Sequence, residues 1–78
     1  MTTMSELVKT IIIPLVEHPE QVEISETSDN SIITVEVRVA PEDMGRVIGK
    51  GGRVINAVRT VVKAAATKQN IKVFVEVL

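Results

Sequence analysis

Three glycines fall within four residues in the stretch Val47-Ile48-Gly49-Lys50-Gly51-Gly52-Arg53-Val54-Ile55, between two short aliphatic runs. Without Cβ atoms these positions can adopt φ > 0 and let another backbone approach closely, so the stretch is a tight turn or a contact surface. The residues that follow, Val54, Ile55, Val58, Val61, Val62, Ala65 and Ala66, recur at helical spacing, which makes the loop the entrance to an amphipathic helix. A helix entrance offers unpaired N–H groups and partial positive charge. Combined with Lys50 and Arg53, it suits a backbone that carries phosphates.

Other phosphate-binding glycine loops fail on spacing. A Gly-x-x-x-x-Gly-Lys-Ser/Thr loop needs a spacer one residue longer than the three residues between Gly45 and Gly49, and a hydroxyl where Gly51 stands. A dinucleotide fingerprint starting at Gly49 would require glycine at Val54. The run instead resembles the KH domain of RNA-binding proteins, marked by an aliphatic-aliphatic-Gly-x-x-Gly-x-x-aliphatic run joining two helices. Val47 to Ile55 match that pattern at every defined position, with Lys50 supplying the basic residue common in its variable pair. The resemblance implies that the loop clamps the backbone of about four nucleotides of single strand.

Seventy-eight residues make one domain, and the 45% hydrophobic content, nearly all Val, Ile, Leu and Ala, provides a core. There is no cysteine and a single His, so disulfides, thiolate metal sites, a Cys nucleophile and a His-based metal cluster are excluded. Neither a leader segment nor an apolar run long enough for a membrane span is visible, which predicts a cytoplasmic protein with no membrane partner. No nucleophile-base pair or cofactor motif stands out, and an enzyme is not expected.

The net charge of −1 conceals a division at Met44. Residues 1–43 hold Lys9 and Arg38 against nine carboxylates, whereas residues 44–78 hold Arg46, Lys50, Arg53, Arg59, Lys63, Lys68 and Lys72 against Glu76 alone. Such segregation gives a near-neutral chain one basic face, the footprint of a nucleic-acid binder.

In chain order, Met4, Leu7, Val8, Ile11, Ile12, Leu15 and Val16 keep a helical period and predict a helix over Ser5 to Val16, capped by Thr3 with Glu6 or by Ser5. Pro14 should kink its last turn and Pro19 stop it, with His18 in the ending as a surface or helix-end residue. Val22 and Ile24 suggest a short strand from Glu20 to Ser25, followed by a five-residue turn from Glu26 to Asn30 and a strand carrying Ile33, Val35, Val37 and Val39. Pro41, Glu42 and Asp43 suit the opening of a short helix with Met44, Val47 and Ile48, the two acids favouring its positive end. A second helix from Gly52 to Lys68 carries Asn56, Arg59, Thr60, Lys63 and Thr67 on its wet side. A final strand from Ile71 to Leu78 places Phe74 on the face opposite its β-branched residues.

The order αββααβ resembles the type II KH arrangement over the full chain. It implies an α+β fold with three helices on one face of a three-stranded mixed sheet. Single-stranded RNA would cross a groove floored by Val47, Ile48, Val54 and Ile55. The loop Gly49, Lys50, Gly51, Gly52 and Arg53 would meet its phosphates, with Arg46 and Arg59 as second-rank candidates at the rim. The acidic stretch Glu26 to Asn30 would repel phosphate if it bordered that groove. With Phe74 as the one aromatic residue, base-stacking platforms are unavailable and sequence-tolerant binding is expected.

The chain is also similar to the small bacterial KhpA family. That similarity implies an RNA chaperone or post-transcriptional regulator that self-associates, pairs with a larger KH partner, KhpB or Jag, and is linked to cell shape and peptidoglycan control. Phe74 would then be an exposed sheet residue or a subunit contact. The rival reading is a dimerisation module on the same scaffold with a vestigial loop; a subunit bound to structured ribosomal RNA would differ in partner more than in chemistry.

Overall fold

A computed structural model of the chain describes residues 3–78. Helix α1 runs over Met4–Ile12. Thr3 caps it by accepting the Glu6 N–H at 3.1 Å, and Met4, Val8 and Ile12 are its buried stripe. The helix expected to reach Val16 stops earlier as an α-helix: Ile13–Leu15 tighten into a 3-10 turn around Pro14, which cannot supply the N–H that another α turn needs.

Strand β1 spans Glu23–Asp29 and strand β2 spans Ile32–Arg38, paired antiparallel with Asp29 opposite Ile32. The expected five-residue turn is therefore two residues, Asn30 and Ser31, both left-handed at φ 49° and 65°. A two-residue turn of that hand matches the twist of the flanking strands, whereas the polar composition of Glu26 to Asp29 reflects an exposed strand rather than a loop. The residues expected to begin the strand form a 3-10 turn, Pro19–Gln21. Glu26 lies opposite Val35, and its carboxylate accepts the Ser5 N–H at 2.9 Å, satisfying an otherwise orphan donor at the start of α1.

After a 3-10 turn at Pro41–Asp43 come helix α2 (Met44–Ile48), the glycine loop, helix α3 (Arg53–Lys68) and strand β3 (Lys72–Val77). Strand β3 pairs parallel with β2, so the sheet is mixed, in the order β1-β2-β3. Ile33, Val35 and Val37 lie beside Val73, Val75 and Val77 on the face that packs against the helices. From α3 the same core receives Ile55, Val58, Val62 and Ala66. Val61, read from its spacing as a core residue, is 50% exposed because it lies about a quarter turn off that buried stripe. On the open face of the sheet, Phe74 is 54% exposed.

Serine gains nothing from a left-handed backbone, whereas glycine adopts it without a Cβ penalty. Ser31→Gly is expected to raise stability by about 0.5–1 kcal/mol, measured by urea unfolding.

Candidate nucleic-acid interface

Helix α2 has five residues and ends on Gly49, whose N–H returns to the Gly45 carbonyl at 2.8 Å. Gly49 has φ +77°, and a Cβ there would stand 2.5 Å from Val54 Cγ2 and 2.8 Å from Val54 N. The chain can reverse in so few residues because this position has no side chain. Gly51 and Gly52 are left-handed as well, at φ 65° and 79°; Gly52 caps α3, while Gly51 has open space around it. The amides of Gly49, Gly52 and Arg53 bond inside the loop to Gly45, Gly49 and Lys50 carbonyls. Within the described residues, no backbone acceptor outside the turn meets those of Lys50 and Gly51, and both residues are exposed.

The side chains divide into three groups. Lys50 and Arg53 are exposed beside the glycines, and among the described residues Arg46 is the one Lys or Arg side chain within ion-pair distance of a carboxylate. Val47 and Ile55 turn inward, at 0% and 6% exposure, and belong to the core rather than to an open floor; half-buried Ile48 and Val54 are the aliphatic surface next to the loop. Arg46 and Arg59 are already engaged. Arg46 Nη2 lies 2.6 Å from the Glu17 carboxylate and Arg46 Nε 3.8 Å from Asp43. Arg59 donates from Nε to the Val75 carbonyl at 3.1 Å and from Nη1 to Asn56 Oδ1 at 3.4 Å.

From the Arg59 end, a cleft of about 670 Å³ runs between α3 and β3, walled by Arg59, Lys63 and Thr67 on one side and by residues 71–76 on the other. Sequence reasoning placed all three helix residues on the wet side and offered Arg59 as a rim candidate, but connected neither Lys63 nor Thr67 to a site. Their four-residue spacing was the available signal, but the other wall depended on β3 being an edge strand, which periodicity does not show. In the parallel register Lys72, Phe74 and Glu76 direct their backbone groups to β2, so those of Val73, Val75 and Val77 face outward, and Arg59 occupies one of them. The acidic strand β1 lies on the other sheet edge, with β2 between, and does not border the cleft.

Asp43, expected only as a favourable charge near a helix start, has no exposed surface. Its two carboxylate oxygens accept the N–H groups of Glu17 and His18 at 2.9 and 3.0 Å. The Glu17 N–H is the largest influence on the carboxyl and lowers its pKa. Burial opposes this, and the His18 N–H with the neighbouring His18 ring and Arg46 guanidinium completes a net shift below the ordinary 3.8. Because the folded pKa lies below the unfolded one, this contribution to stability is whole above the unfolded value and is lost as pH falls through the folded one.

Two outcomes are expected. In urea unfolding at a series of pH values, the stability gap between the parent and Asp43→Asn stays constant from neutral pH to about pH 5 and closes on further acidification. Gly49→Ala costs about 2–4 kcal/mol through overpacking against Val54 plus left-handed strain, whereas Gly51→Ala costs only about 1 kcal/mol, its site being open.

The sequence model of the KhpA/KhpB KH domain matches residues 5–77. Over 75 residues the chain is 53% identical to RNA-binding protein KhpA of Caldanaerobacter subterraneus and 51% identical to that of Clostridium acetobutylicum, covering 96% of this chain and 100% of each relative. The Listeria monocytogenes protein of the same name is 44% identical, with 96% and 99% covered. Among solved structures, a point variant of Aquifex aeolicus Era bound to GDP·AlF4− superposes with a TM-score of 0.67 at 16% identity, over 95% of this chain and 29% of that longer one, a likeness of fold alone. With the glycine loop seated between two helices and the family match extending across nearly every residue, the chain belongs to the KhpA/KhpB family of KH domains.

Proposed function

We propose that the protein binds single-stranded RNA, with the phosphates on the exposed loop amides, Lys50 and Arg53, and the bases along the cleft between α3 and β3. The observation that carries this reading is the continuity of donors: unpartnered loop amides lead along α3 to Arg59 and Lys63, with Lys72 across the cleft. Ile48 and Val54 provide aliphatic contact next to the glycines, and Val47 and Ile55 support them from the core. Arg46 and Arg59 act at the rim through the parts of their guanidinium groups that their partners leave free. The relatives named RNA-binding protein KhpA support the same assignment.

An RNA chaperone or post-transcriptional regulator fits a site with a single aromatic side chain, Phe74, along its cleft, which holds backbone more firmly than it reads sequence. The family likeness extends the proposal to the cytoplasm and to cell-shape and peptidoglycan control. It also supports a homodimer or a complex with a KhpB-like KH protein. Half-exposed Val61 on α3 and Phe74 on the open sheet face are among the exposed apolar side chains that such pairing would cover.

Replacing Lys50 and Gly51 together by Asp is expected to abolish retention of a single-stranded RNA in filter binding while circular dichroism stays unchanged, since both residues are exposed and the new carboxylates repel phosphate. For the parent, log affinity should fall with log salt at a slope of about −2 to −3, as for about three or four neutralised phosphates on a single strand. Equal retention by both proteins would transfer the assignment to the protein-interaction module.

A further inference from the structure

Among the described residues Asp43 is the one buried polar or charged side chain, and RNA contact makes no use of it. A buried carboxylate is costly, and well-packed apolar residues often match such groups in stability; what hydrogen-bonded ones can add is a unique orientation of the elements they join. Here those elements are the segment after α1 and the helix that leads into the loop. Asp43 binds the amides of Glu17 and His18. One turn on, Arg46 reaches across to the Glu17 carboxylate, while the His18 ring sits 3.5 Å from Glu20 and 3.3 Å from Glu42. Helix α2 depends on such outside contacts, because five residues are far too few to form a stable helix alone. Its far end is Gly49, bonded back to Gly45. Any tilt of α2 therefore moves the loop.

We infer that Asp43 is a positioning residue for RNA binding: by clamping the Glu17 and His18 amides it fixes the direction of α2, and so the place where the Lys50 and Gly51 amides are presented. This rests on the RNA-binding reading above, and the sign of the effect sets it apart from charge alone. Asp43→Asn and Glu17→Gln both remove a negative charge, which by simple attraction should tighten RNA binding. Loss of the clamp should weaken it. In Asp43→Asn the amide nitrogen would meet a backbone N–H, donor against donor, and the pairing with Arg46 would be gone.

The test measures affinity for a fluorescent single-stranded RNA oligonucleotide by anisotropy, together with the amide NMR signals of Gly49, Gly51 and Gly52. Asp43→Asn is expected to bind about tenfold more weakly and to shift the three glycine signals, with Glu17→Gln changing both in the same direction but less. Val8→Ala, a cavity variant in the α1 core, is the control for lost stability and should leave affinity and glycine signals at parent values. Unchanged or tighter binding by folded Asp43→Asn overturns the inference. Should Asp43→Asn fail to fold, Glu17→Gln decides by the same sign. A parent that binds no RNA removes the proposed function, and the clamp then stands or falls on whether the glycine signals move.

Discussion

The contact between Gly49 and Val54 sets the geometry of this domain. The hydrogen at the Gly49 α-carbon occupies a gap in which a methyl group would lie 2.5 Å from the valine side chain, and only that closeness lets α2 and α3 meet through so short a link. Both helices can then place Val47 and Ile55 in one core under the sheet while the intervening residues stay outside it. The exposed amides are a by-product of the packing. The Gly49 end of the loop is held against this aliphatic interior, and donors held in place lose less entropy on meeting an anion than floppy ones would.

Much of the architecture was legible because its signals are local. The period of Met4, Val8 and Ile12, the alternation of Val35 and Val37, and the glycine spacing each state one element and one buried face. Errors arose where a residue's partner is distant in sequence. Glu26 read as a turn because it is acidic among polar neighbours; in fact its carboxylate closes the start of α1, 21 residues away. Asp43 read as a dipole charge, but its partners are Glu17 and His18 across a chain reversal. Val61 read as core because it fits the helical spacing of its apolar neighbours, and only the orientation of the whole helix turns it outward.

The site was half visible by the same logic. Lys50, Arg53 and the glycines are contiguous, so the loop could be read directly. The cleft needs α3 and β3 side by side, with β3 unpaired on its outer edge, and edge position is a property of topology rather than of any strand's own residues. Arg59 shows the difference: its place on the helix was clear, yet its bond to the Val75 carbonyl, which covers part of an otherwise open strand edge, was not.

Part of the division of charge along the chain becomes a division in space, since the acidic strand β1 and the cationic cleft beside β3 lie on opposite edges of one small sheet, while Glu17, Glu20, Glu42 and Asp43 gather around His18 and Arg46. A molecule with almost no net charge but with its charges unevenly placed experiences a torque near a polyanion before it touches it. The domain should therefore arrive already rotated, with its cationic edge leading, and lose fewer encounters to wrong orientations than a protein of equal charge spread evenly. Added electrolyte would erase that advantage in the rate of capture.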